Sequence, residues 1–290
     1  MIPKPFRKWD IYVLILIFAG LLLSDNSRSH AQNEATEFKE DPVALMRDVS
    51  YNELKHSDAP RVRYELHKTD DKGTRVDEII ETSEGDVARH LSRNGEPLTG
   101  DLEKAEEARL NNLLAHPEIQ EHRHKKEQED SDRADGFIKL LPEAFLYKYA
   151  GIVKGLSGPA YRLTFVPNPN FIPPSAEAEV FHGMAGEVWV DCREKRLSRF
   201  DAHIIEDVNF GWGIAIRLFK GGTMLIEQVD AGDGRWEQKY FNLNLSGKIL
   251  MVKTMTRKET ETESNYVEIP PNTDYKAAIN ILKALPPAMP

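Results

Sequence analysis

Cysteine occurs once among 290 residues, at Cys192, so the folded chain holds no internal disulfide and depends on a buried core for its stability. Basic excess is lacking too: 38 Lys and Arg stand against 47 Asp and Glu, a formal net charge of −9. A surface this acidic repels nucleic acid and anionic membranes, and no local basic patch of useful size offsets it. The chain has no Gly-rich phosphate loop, no Gly-x-Ser-x-Gly elbow and no His-Glu-x-x-His zinc pair. These absences leave no catalytic constellation, and a non-catalytic protein without cofactor or metal is the expectation. Long apolar runs are also missing. The longest, Ile11–Leu23, has 13 residues, against roughly 20 for a bilayer-spanning helix.

That run does fit an export signal. Lys4, Arg7 and Lys8 precede it, and Ser29-His30-Ala31 supplies a small-x-small cleavage site before Gln32. The reading is a cleaved signal peptide over 1–31, with an uncleaved anchor as the alternative because the polar stretch Ser24–His30 is long. Cleavage between Ala31 and Gln32 would take the net charge from −9 to −11, since it removes four cations and two acids. No cysteine stands at the end of the run, so no lipid-modified N-terminus is expected, and the mature form is expected to be periplasmic and not membrane-spanning.

Residues 32–60 read as a polar segment with a short helix from Pro42 to Lys55, and 61–290 as one domain. Three alternating runs, Arg61–Lys68, Arg75–Thr82 and Val87–Arg93, form a meander. Thr99 and Asp101 open a helix to about Ala115, which Pro117 interrupts. The ten charges in 118–133 mark a solvated helix or a disordered part of a charged helical insertion over about 101–133. "FIKLLPEAFLYKY", 137–149, resumes as an amphipathic segment with a restart at Pro142. From Tyr161 onward the chain reads as strand and turn, with Glu187–Asp191, Leu197–Ile205, Gly213–Lys220, Thr223–Val229, Arg235–Leu245 and Lys248–Lys258 separated by "REK", "NFG", "GG", "DAGDG" and "SG". Connections this short exclude parallel crossovers. A helix over 274–285, capped by Asp274, closes the chain.

Val188 and Val190 alternate with Trp189 and the acids, while Phe200 and Ile204 alternate with Arg199, Asp201 and His203. Ile214, Ile216 and Leu218 continue the apolar set. The sheet is thus expected to be apolar on one side, and these seven residues are the candidate ligand-binding face. About nine strands with three or four helices give an α+β fold: an open, strongly curved antiparallel sheet with helices on its concave face.

The order "LLPEAF", "YRLTFVPNP", "GEVWVD…RLSRF", "GGTMLIEQV", "GRWEQKYF", "GKILMVKTM" resembles the LolA/LolB-like superfamily of exported lipoprotein carriers and related envelope proteins. The resemblance covers about 137–260. It implies a half-barrel around helices whose apolar surface accepts a lipid or a lipoprotein acyl chain. The alternative is a cell-envelope interaction or sensor module, with the same fold, a packed interior and a protein partner.

Other polar groups have plain readings. His116, His122 and His124 beside Glu118 and Glu121 read as a solvated helix, since two ligands do not make a zinc site. Asp201 and His203, with His182 and Asp191 near in sequence, lie on the wet strand face without a nucleophile. "DAGDG", 230–234, is a hairpin turn rather than a calcium loop. Cys192 is read as an incidental unpaired thiol. The aromatics Trp189, Trp212, Trp236, Phe219, Tyr240 and Phe241 are read as strand packing rather than a cleft lining.

Overall fold

Alternation of period two makes most of this chain sheet. The computed structural model describes residues 40–55, 60–210, 216–232, 234–250 and 253–286; the expected signal peptide, its Ala31–Gln32 junction, Trp212 and Ile214 lie outside them. The elements in order are α1 (Pro42–Leu54), β1 (Val62–Asp70), β2 (Gly73–Ile80), β3 (Val87–Arg93), β4 (Glu96–Pro97), α2 (Gly100–Ala115), α3 (Pro117–Ala144), β5 (Phe145–Lys154) and β6 (Pro159–Pro167). A 3₁₀ helix over Glu177–Gly183 follows, then β7 (Met184–Asp191), β8 (Leu197–Ile204), β9 (Val208–Phe210), β10 (Ile216–Leu218), β11 (Thr223–Gly232), β12 (Arg235–Ile249), β13 (Lys253–Glu268) and α4 (Tyr275–Ala284).

All 13 strands belong to one sheet in the order β4-β3-β2-β1-β13-β12-β11-β8-β7-β6-β5, with β10 bridging β12 and β9. Every pairing is antiparallel. The end strands β4 and β5 do not pair, so the sheet is open. The fold is therefore α+β, with more strands than the sequence reading gave.

Helix starts follow the local chemistry. Asp41 accepts from the Val43 and Ala44 amides at 3.3 and 3.2 Å, and Pro42 takes the first helical position of α1. Asp274 accepts from Ala277 N at 2.7 Å to start α4. Thr99 sits at the cap of α2 but gives no side-chain cap bond.

Four local expectations need correction. Pro142 does not restart a helix; it lies inside the 28-residue α3, and residues 118–133 form the first part of that helix, with Gln120 and Asp130 buried. Phe145–Lys154 is a strand, not part of an amphipathic helix. Ser246-Gly247 is not a turn, because β12 runs through it to Ile249. The polar stretch "KETETESNYVE" continues β13 to Glu268. There Glu259, Glu261 and Glu263 are buried, and Lys68, itself buried, contacts Glu259 and holds Glu261 at 2.5 Å.

The largest cluster joins α1, the C-terminal part of α3 and the 3₁₀ helix to strands β5–β12. A second cluster packs α2 and α4 on Ile80 and Val87. Those residues adjoin Ile79 and Ala88, which belong to a third cluster with Val62, Tyr64 and Leu66. Successive strand residues point to opposite faces, so at its β2–β3 end the sheet carries apolar side chains on both sides.

Candidate functional site

Registry places one apolar row across five strands. Leu163 pairs Val188, Val188 pairs Phe200, Phe200 pairs Ile226, and Ile226 pairs Phe241. The row becomes charged at the next strand, where Phe241 pairs Glu261 and Glu261 pairs Lys68. Aromatic rings knit the apolar part together. Phe165 stacks on Phe200 at 5.2 Å between centroids, and Phe181 meets Phe137 and Phe145 edge-on at 5.5 and 5.3 Å.

Above this row a cavity of about 50 Å³ remains between helices and sheet. Val49 and Glu53 of α1, Phe137, Ile138 and Leu141 of α3, and Phe181 form its roof. Met184, Leu197, Phe200, Met224, Ile226 and Gln228 form its floor. Its wall is apolar except at one end.

That end is a buried ion pair. Glu53 Oε1 accepts from Arg196 Nε at 2.8 Å and from the Leu197 amide at 2.8 Å, while Oε2 accepts from Arg196 Nη2 at 3.1 Å. Gln228 Nε2 lies 3.5 Å from the same Oε2. The pair ties α1 to the β7–β8 turn, and neighbouring bonds repeat the tie. Asn52 Nδ2 donates to the carbonyls of Glu194 and Lys195, and Lys195 Nζ reaches Glu40 and Asp48 at 2.8 and 2.6 Å. Asp191 shapes the turn by accepting from the amides of Arg193 and Glu194 at 2.9 and 2.8 Å.

Of the seven residues proposed for the apolar face, Val188, Val190, Phe200, Ile204 and Leu218 are buried and Ile216 is half-buried. They share one cluster. Phe200 alone among them lines the cavity; Ile204 and Leu218 line a separate void of about 10 Å³. Sequence reasoning missed the cavity's α1 and β11 residues. Alternation in "TMLIEQV" offers a signal for Met224 and Ile226, but nothing local joins Glu53 to Arg196, 143 positions away.

The remaining polar candidates stay apart. No group of three or more His, Cys, Asp or Glu with metal-binding geometry exists among the described residues. Asp201 is held by Arg199 at 2.6 Å and His203 is exposed. Burial and then the charge of Asp191 push the Cys192 thiol up, although hydrogen bonds from Tyr161 oppose the rise. That makes the thiol less reactive, contrary to what flanking Arg193 and Lys195 suggest. Trp189 packs under Arg199 at 5.1 Å, and buried Trp236 donates to Glu194 at 2.8 Å. A wider cleft of about 160 Å³ between β3, α2 and α4 mixes Arg89, His90 and Lys283 with Glu103, Glu106 and Glu107.

No described helix is long and apolar enough to cross a membrane. Compared with family models and with curated proteins, the sequence gives no match.

Proposed function

We propose that the protein is a non-catalytic periplasmic binding protein, exported through a cleaved signal, for a lipid, a lipoprotein acyl group or another amphiphile. In this reading the open sheet curls into a LolA-like half-barrel. Helix α1 and the C-terminal half of α3 occupy its concave side. The observation that carries the reading is the apolar cavity over Phe200 and Ile226, closed by helices that a short polar latch holds in place. Its volume of about 50 Å³ compares with ~10–15 Å³ for one water-sized probe. It therefore accepts the end of one alkyl chain, and deeper entry requires α1 and α3 to lift. Each methylene taken from water contributes ~0.8 kcal/mol.

A second reading is an envelope interaction or sensor module with a protein partner. The filled aromatic cluster of Phe137, Phe145, Phe165, Phe181 and Phe200 favours it. Titration of the delipidated protein with a pyrene-labelled dodecyl amide separates the two. The binding reading predicts saturable fluorescence enhancement that Met224→Arg abolishes while circular dichroism stays native. Absence of saturable binding by the folded wild type removes that reading and leaves the interaction module, to be pursued by pull-down.

A further inference from the structure

The polar end of the cavity bears on which amphiphile enters. Gln228 carries a buried Oε1 that accepts no hydrogen bond. Its amide orientation is fixed by Glu53: Nε2 faces the carboxylate oxygen at 3.5 Å, and the reverse placement would set oxygen against oxygen. Buried acceptors are normally satisfied, so this oxygen is suited to a donor brought from outside.

Charge at the same end is already allocated. Arg196 is engaged by Glu53 through two parallel bonds of 2.8 and 3.1 Å, and it is not among the residues that line the cavity. Among the described lining residues Glu53 is the one ionisable group. An incoming carboxylate would lose water beside that acid and find no cation to replace it. A hydroxyl or amide N–H would instead donate to Gln228 Oε1.

We propose that this cavity selects a single alkyl chain bearing an uncharged, hydrogen-bond-donating head, with Gln228 accepting from the head and Glu53 rejecting carboxylates. The inference rests on the alkyl-binding reading above and adds the class of head group.

Competition against the pyrene-labelled dodecyl amide tests it, with dodecanol, dodecanamide and dodecanoate at a pH where dodecanoate is ionised. The two neutral competitors are expected to displace the probe at concentrations roughly tenfold lower than dodecanoate, equivalent to about 1.4 kcal/mol. In Gln228→Leu, or in Gln228→Met should that variant fold poorly, the gap is expected to shrink severalfold while alkyl binding persists. Equal or stronger displacement by dodecanoate in the wild type would overturn the head-group inference and leave the alkyl site standing. A gap unchanged in both variants would overturn the role of Gln228. Failure of the probe itself to bind would remove the underlying reading, and the inference with it.

Discussion

Glu53 and Arg196 are each 8% exposed at the side chain, and a buried pair behaves asymmetrically: its net worth is small, but removal of one partner strands the other. Glu53→Ala is expected to destabilise the protein by about 3–5 kcal/mol in urea unfolding, far beyond the effect of removing an exposed acid such as Glu103. Asp77 makes a different case. Burial alone would raise its pKa, but the contacts with His90 at 2.6 Å and Arg75 at 2.8 Å outweigh it and hold the carboxyl below its ordinary range. With the folded pKa below the unfolded value of about 3.9, the stabilisation is complete above that pH. It is lost as pH falls through the folded pKa. Asp77→Asn is therefore expected to lower stability at pH 7 and to flatten the decline of stability below about pH 4, both read from denaturant midpoints.

At the scale of elements, α3 shows how an apparent helix breaker is accommodated. Pro142 has no N–H, so the Ile138 carbonyl loses its intrahelical donor. Ser50 of α1 supplies the missing bond at 2.9 Å, in a buried position. The end of α3 is closed in the same manner. Tyr147 OH donates to Leu141 O at 2.7 Å, and Asn168 donates to Glu143 O at 2.8 Å and to Ala144 O at 2.9 Å. Ser50→Ala is expected to cost about 1–2 kcal/mol. In a Pro142→Ala background, where residue 142 again has an N–H, the same change should cost less. A double-mutant cycle on thermal or urea unfolding reads that coupling.

These elements also show what the sequence made legible. α1, the β1–β3 meander and α4 were readable because caps and apolar period lie within each segment. The run around Pro142 was not, since its rescue comes from a serine 88 residues away in sequence. The part of β13 beyond Lys258 was unreadable for a second reason. Its inward residues are Glu259, Glu261 and Glu263, so the apolar alternation that marks a strand is absent. Lys68 and Arg257 supply counter-charges to Glu259 and Glu261, and Gln238 and Tyr266 donate hydrogen bonds to Glu263. The buried apolar strand face was legible because Val188 and Val190, and Phe200 and Ile204, alternate locally, but of these only Phe200 lines the cavity. The polar end of the cavity needed tertiary pairing.

Across the whole molecule, an open sheet leaves edges that invite association. Where the short β4 does not cover it, the outer side of β3 and the turn before it are covered by side chains from α2 and α3. Arg109 donates to Ala88 O at 2.5 Å, and Arg123 donates to Asp86 O at 3.1 Å. Gln120 donates to Glu84 O at 2.8 Å, while Glu106 and Glu127 accept from the amides of His90 and Asp86 at 2.9 and 3.2 Å. This gives the charged helices a structural task that composition alone does not reveal. The pair Arg109→Ala with Arg123→Ala is expected to raise concentration-dependent self-association in sedimentation velocity, with little change in secondary structure. The same global arrangement sets helices over Phe200 and Ile226 and leaves a small apolar cavity beneath them, on which the functional account turns. Native mass spectrometry of the protein, purified without detergent and compared before and after exposure to phospholipid vesicles, addresses it most directly. The account predicts a discrete adduct of lipid or single-chain amphiphile mass, lost in Met224→Arg while the fold survives. A mass equal to the bare chain both before and after exposure would contradict it.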